Sequence, residues 1–212
     1  MIVACILVAI MAYLIGSINF AVLLSKKIAG FDVREKGSGN AGSTNVLRSV
    51  GKKAAALTLV CDILKGVVTV ILACLIGKIP GLNASILAQI AGVAVIIGHT
   101  FPVFFEFKGG KGVATSLGVL LVTNWSIGLV CLLFALTLMA LTRIVSLGSI
   151  SAAILFPLLV IFMPSQYYIT GEGKEYIIFS IVLAVLVIFN HRSNVVRLIK
   201  GTENKLDFKK FK

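Results

Sequence analysis

Apolar residues fill this chain in long blocks separated by short polar segments, without the one-sided rhythm of a helix that has a wet face. The blocks fall at roughly residues 2–24, 54–76, 84–98, 113–123, 126–142, 147–163 and 175–190. An apolar run of about 20 residues, wound as a helix, crosses a hydrocarbon layer of ~30 Å. The pattern predicts an all-α, polytopic integral membrane protein with seven transmembrane helices. The fourth block is short, and with the fifth it also reads as one long helix interrupted at Asn124-Trp125. The first block lacks a basic leader and a small-residue cleavage pattern, so it is expected to remain as a helix.

Charge decides between the two counts. With seven crossings and the N-terminus outside, every Lys and Arg of the 20 except Lys65, Lys78 and Lys174 gathers on one side. Six crossings would send the basic tail outside, against the excess of positive residues that cytoplasmic loops carry. The C-terminus is therefore expected in the cytoplasm. The composition, 58% hydrophobic and 13% charged, excludes an ordinary soluble domain. In such a chain a net charge of +12 points to anionic lipid and anionic substrates, with no nucleic acid as partner. No internal repeat or linker is visible, so residues 1–212 read as a single domain. Cys5, Cys61, Cys74 and Cys131 all lie in apolar blocks with no paired spacing, as small buried hydrophobes do.

Two features inside the blocks have a plain reading. Asp62 and Lys65 are three apart on one helix face, and charges within a span usually pair toward the bundle interior. That pair fits an internal strut for the second helix better than a polar pathway. Phe101, Phe104, Phe105, Phe107, Trp125, Tyr167 and Tyr168 cluster at block ends, as an interfacial aromatic belt does.

Three polar stretches carry the chemistry, and seven crossings put all three on one face. The first, Lys36 to Arg48, reads KGSGNAGSTNVLR. Its GSGNAG satisfies the dinucleotide-loop spelling, but no strand precedes it, so that reading fails. What remains is a glycine loop leading into a helix start, where free N–H groups hold anions. The second runs from Gly98 to Thr115 and contains KGGKG, two ammonium groups beside compliant backbone. It is not a Walker A loop, because Gly112 follows Lys111. The third, His191 to Lys205, puts His191 and Asn194 three apart at the end of the last block. A basic juxtamembrane tail explains Lys209, Lys210 and Lys212, but not those two residues. The chain has no HExxH, no Cys/His cluster and no GxSxG elbow. Neither histidine has an acid five residues later, since Phe104 and Val196 stand there.

Taken together, GSGNAGSTNVLR, GHTFPVFFEFKGGKGVAT and HRSNVVRLIKGTENK resemble the three signature motifs of the bacterial acyl-phosphate-dependent glycerol-3-phosphate acyltransferases, the PlsY family. Tyr13–Asn19 (YLIGSIN) and Asp62-x-x-Lys65-Gly66 are also similar to that family, and the likeness spans nearly the whole chain. Ala41 stands where the family often has proline, and Val195 where isoleucine is common. Neither departure touches a polar group.

The resemblance implies transfer of an acyl chain from acyl phosphate to the 1-hydroxyl of glycerol 3-phosphate, giving lysophosphatidic acid and phosphate. That is the first acylation of bacterial phospholipid synthesis. It implies no cofactor, no metal and direct transfer without a covalent intermediate. It implies a multi-pass protein of the bacterial cytoplasmic membrane, with the active site on the cytoplasmic face, surrounded by lipid; a monomer is the expected state. By the same resemblance Ser38, Arg48, Lys108, His191 and Asn194 would hold glycerol 3-phosphate and form the catalytic set. Asn40, Thr44, Asn45 and Ser146 would face the acyl phosphate. Gly39, Gly42, Gly109, Gly110, Lys111 and Gly112 would complete the substrate-binding loops. His191 is the candidate base, with a phosphate oxygen of the substrate as the alternative acceptor of the proton. Glu203 is expected to pair with a nearby cation. The residues agree with this chemistry: two phosphates demand several cations and N–H donors in one place. An acyl phosphate is already activated, so positioning and charge stabilisation suffice. A transporter for an organic phosphate would instead hold its substrate near the midplane, often between repeats.

Overall fold

A computed structural model of the chain describes residues 1–162 and 174–206. Tyr167, Tyr168, Lys209, Lys210 and Lys212 lie outside the described residues. Those described form ten α-helices. They are α1 (Ile2–Gly16), α2 (Phe20–Ala29), α3 (Ser43–Ser49), α4 (Lys52–Ile76), α5 (Ala84–Thr100), α6 (Val113–Thr123), α7 (Trp125–Thr142), α8 (Val145–Phe162), α9 (Lys174–Asn190) and α10 (Arg192–Ile199). Each of the seven apolar blocks is helical. Five segments are long and apolar enough to cross a membrane, and α9 with α10 is a sixth, bent by 65°. The short helix α6 falls below that length. Asn124 separates it from α7, so the fourth and fifth blocks are two helices. Its extended backbone (φ −157°, ψ 87°) ends α6, and its side chain accepts from Ile127 N at 3.1 Å to start α7.

The first block is also two helices. Ser17-Ile18-Asn19 interrupts it, and Asn19 caps α2 by accepting from Val22 N. The freed carbonyls of Gly16 and Ile18 are taken by Lys65 Nζ at 3.1 and 2.9 Å. Lys65 is itself 3.0 Å from Asp62 Oδ1. The expected strut therefore exists, and it holds an unwound turn of the neighbouring span.

Helices approach closely where glycines meet backbone. A Cβ on Gly16 would lie 2.2 Å from Val95 O, and one on Gly98 the same distance from Tyr13 O, so α1 and α5 pack backbone to backbone. Gly118 against Ile63 O, at 2.1 Å, does the same for α6 and α4. On the far side Phe156 meets Tyr176 and Phe179 edge-on, and the Tyr176 hydroxyl donates to Thr123 Oγ1 at 3.1 Å. This frame leaves a cavity between α3, α4, α6, α7, α8 and α9.

Candidate active site

One cavity of about 780 Å³ receives residues from all three polar stretches. The first contributes Ser38, Asn40, Gly42, Thr44, Asn45 and Arg48; the second His99, Lys111 and Gly112; the third His191, Asn194 and Glu203. Ser146, at the start of α8, also lines it. Gly39, Lys108, Gly109 and Gly110 are outside the lining.

The first loop is shaped around Asn45, which is 1% exposed. Its amide donates to the carbonyls of Val33, Lys36 and Asn40 at 2.8, 3.0 and 3.0 Å, and its oxygen accepts from Ser38 N at 2.9 Å. Gly37 makes room for this knot: its φ is +60°, and a Cβ there would lie 2.3 Å from Asn45 Oδ1. Asn45 thus spends its hydrogen bonds on holding the loop. Arg34, paired to Asp32 at 2.9 Å, reaches across to the second loop and donates to Phe105 O at 2.8 Å.

The second loop folds back along the end of α5. Gly109 N donates to Thr100 O and Gly110 N to His99 O, at 3.1 and 3.0 Å, while Ala41 N of the first loop donates to Gly109 O. Gly112, at φ +82°, then starts α6 against Ile96, one turn inside the end of α5. The two lysines of KGGKG part company here. Lys108 stands in solvent with a side chain 74% exposed, 3.4 Å from the equally exposed Glu106. Lys111 turns into the cavity and donates to Asn194 Oδ1. Burial, seconded by Arg197, lowers the Lys111 ammonium to about 8.

The third stretch bends sharply at His191. Asn194 Nδ2 donates to Glu203 Oε1 at 3.0 Å, and Arg197 Nε donates to Glu203 Oε2 at 2.9 Å. Glu203 thus pairs with a cation as expected, and it also fixes Asn194. Leu206 N donates to Arg143 O at 2.7 Å, fastening the tail beside the α7–α8 turn. His191 Nδ1 lies 2.8 Å from Val187 O. A carbonyl only accepts, so Nδ1 carries hydrogen, and in the neutral ring Nε2 keeps the lone pair.

Electrostatically the polar end holds Arg48, Lys111 and Arg197 against the carboxylate of Glu203, and Lys52 and Asp62 also line the cavity. Burial depresses the Arg48 guanidinium from its ordinary value, and that guanidinium makes no hydrogen bond among the described residues. The far end is apolar, lined by Leu59, Leu117, Leu132, Leu136, Phe156 and Leu183. Leu59 and Leu136 remain 42% and 51% exposed, so this end is open at the side between α4 and α7. Sequence reasoning did not assign Arg197, Lys52, Ser116, Asp62 or His99 to the site. Arg197, three residues after Asn194, carried a readable signal in that spacing. No cluster of three or more metal-ligating side chains occurs among the described residues.

Comparison with known proteins gives one consistent answer. A family model described as glycerol-3-phosphate acyltransferase matches residues 6–201. A glycerol-3-phosphate acyltransferase of Thermoanaerobacter pseudethanolicus is 49% identical over 201 residues, 95% of each chain. The chain is similar to the crystal structure of PlsY, an integral membrane glycerol 3-phosphate acyltransferase, in its glycerol 3-phosphate form. That likeness has a TM-score of 0.82 and 38% identity, over 97% of both chains. For the lysophosphatidic acid form of PlsY the TM-score is 0.79 at 37% identity, over 96% of this chain and 95% of that one.

Proposed function

The chain belongs to the glycerol-3-phosphate acyltransferase family, and from that premise we propose that it transfers an acyl group from acyl phosphate to the 1-hydroxyl of glycerol 3-phosphate. The products are lysophosphatidic acid and inorganic phosphate. One observation carries this reading: a single cavity is cationic at one end and apolar, side-open, at the other. Such a cavity suits a small phosphate and the head of a lipid-borne acyl chain together, whereas a phosphate carrier has no use for its apolar half.

In the mechanism we propose, Arg48, Lys111 and Ser38 take the acceptor's phosphate, with Asn194 holding the Lys111 ammonium in place. Lys108, which faces solvent, is left out of that set. The amides around Gly112 at the start of α6, with Thr44, Asn40 and Ser146, receive the acyl phosphate head. Asn45 acts by holding the first loop. The acceptor oxygen attacks the acyl carbon; a C–O ester bond forms as the C–O bond to phosphate breaks. The hydroxyl proton passes to Nε2 of His191, and phosphate leaves with the displaced oxygen. The acyl tail stays among Leu59, Leu117, Leu136 and Phe156. Holding hydroxyl and carbonyl in contact contributes on the order of 7–11 kcal/mol, so no covalent enzyme intermediate is needed. In this reading the site end, which carries most of the basic residues, faces the cytoplasm in a seven-crossing bundle that acts as a monomer; the excess of positive residues in cytoplasmic loops supports that orientation.

The test is phosphate release and lipid product by purified protein in lipid, given glycerol 3-phosphate with acyl phosphate or with acyl-CoA. Turnover with acyl phosphate alone is expected, and His191→Ala should lower it by about 10²–10⁴. Equal use of acyl-CoA would refute the donor. Near-full turnover of His191→Ala would hand the proton to a phosphate oxygen of the substrate.

A further inference from the structure

One buried polar cluster of the cavity has no part in that mechanism. Asp62 of α4 and His99 of α5 both line the cavity, at 2% and 4% exposure. Lys65 balances the Asp62 charge at 3.0 Å but directs its hydrogen bonds to Gly16 O and Ile18 O. His99 Nδ1 stands 3.6 Å from Asp62 Oδ1, beyond hydrogen-bond range, and neither atom has a hydrogen-bond partner among the described residues. The ring is also pressed against the loop that carries Lys111: a Cβ on Gly110 would lie 2.1 Å from His99 Nε2. His99 therefore stands against the residue next to Lys111, with Asp62 beside it. Buried polar atoms without partners are rare and costly, and two that face each other beside a cavity point to a ligand group.

The chemistry of the pair narrows that group. A carboxylate only accepts, and a neutral imidazole donates through one nitrogen. The Asp62 charge disfavours a second phosphate. Lys65, already paired to Asp62, makes an added cation redundant. A neutral hydroxyl, which donates and accepts at once, is the complement. We infer that Asp62 and His99 read the second hydroxyl of the acceptor, its O–H donating to Asp62 and its oxygen accepting from His99. This rests on the reading of the acceptor as glycerol 3-phosphate. With the phosphate on Arg48 and Lys111 and the reacting hydroxyl beside His191, the hydroxyl of the middle carbon is the one left to recognise. A ketone there could only accept, and a methylene could do neither, so both would leave Asp62 unanswered.

Acyl transfer is measured with the full chain in lipid and three acceptors: glycerol 3-phosphate, 3-hydroxypropyl phosphate and dihydroxyacetone phosphate. The native protein is expected to favour glycerol 3-phosphate by about 100-fold in kcat/KM, because a site built for a hydroxyl strongly rejects its absence. His99→Phe and Asp62→Asn should shrink that preference below about 10-fold, with the loss falling on glycerol 3-phosphate alone. Equal losses for all three acceptors would make the pair purely structural and overturn the inference. So would a native protein that uses glycerol 3-phosphate and 3-hydroxypropyl phosphate equally well, a comparison that stands even if both variants fail to fold. Absence of transfer to any acceptor, from either acyl phosphate or acyl-CoA, would instead overturn the acyltransfer reading, and this inference with it.

Discussion

Lys108 and Lys111 are interchangeable in the sequence and opposite in the structure. Both belong to KGGKG, yet one is solvated beside Glu106 and the other is half-buried against Asn194. A charge-assisted hydrogen bond to phosphate contributes about 1.5–3 kcal/mol, whereas an exposed pair contributes well under 1 kcal/mol. Lys111→Ala should therefore raise KM for glycerol 3-phosphate by roughly 10–150-fold, and Lys108→Ala by less than about threefold, in steady-state kinetics. The pH dependence has a definite sign. Burial holds the Lys111 ammonium down at about 8, and a phosphate dianion binds its protonated form. KM should thus be lowest between about pH 7 and about pH 8, and rise above about pH 8 as Lys111 loses its proton, a limb that Lys111→Arg removes. It should also rise below about pH 6, as the phosphate loses its second charge. An inverted upper limb, with KM falling as pH rises above about 8, would put the phosphate elsewhere. Polar residues were legible as site candidates because an apolar chain carries few of them without cause. Their tasks were not, since Asn45, expected at a substrate, spends its whole amide on Val33, Lys36, Asn40 and Ser38. Only the folded loop reveals that.

Helix positions were legible for the same reason that helix breaks were not. Hydropathy marks where backbone must bond to itself, and all seven blocks are helical. The break at Ser17–Asn19 sits in an apolar block and depends on a partner from another helix, Lys65, so local sequence carries only the hint of Asn19. The Asp62–Lys65 spacing announced an internal pair, but not that its ammonium would cap a broken neighbour. Lys65→Met would leave Gly16 O and Ile18 O without this donor and Asp62 charged without its cation. Breaking a buried pair from one side costs about 3–5 kcal/mol, on the order of 10 °C in Tm for a chain of this size. Thermal unfolding in detergent should show that loss, and Asp62→Asn combined with Lys65→Met should recover part of it. A Lys65→Met protein as stable as the native one would mean that the broken span needs no donor from α4.

Across the whole molecule the cavity is lined from alternate ends of successive helices: the start of α4, the end of α5, the starts of α6 and α8, the end of α9. The first polar loop and the tail therefore meet at one cavity, the arrangement that an odd number of crossings would give. Among the described residues, the opposite end keeps only Lys78 and Lys174 of the basic residues. The weak link is α6, whose 11 residues cover about 16 Å as a helix. It starts a turn inside the end of α5, against Ile96, which shortens the distance left to span. Single cysteines at Lys36, Lys78 and Lys200, with Cys5, Cys61, Cys74 and Cys131 replaced, would read the topology through a membrane-impermeant thiol reagent. Seven crossings with the site inside predict that Lys78→Cys is labelled in intact cells, while Lys36→Cys and Lys200→Cys react only after the membrane is opened. Lys36→Cys and Lys200→Cys on opposite sides would require an even count and would separate His191 from the loops it is proposed to serve. All three reversed would keep the bundle and its cavity but deliver the acceptor from outside the cell, where the positive residues should not be.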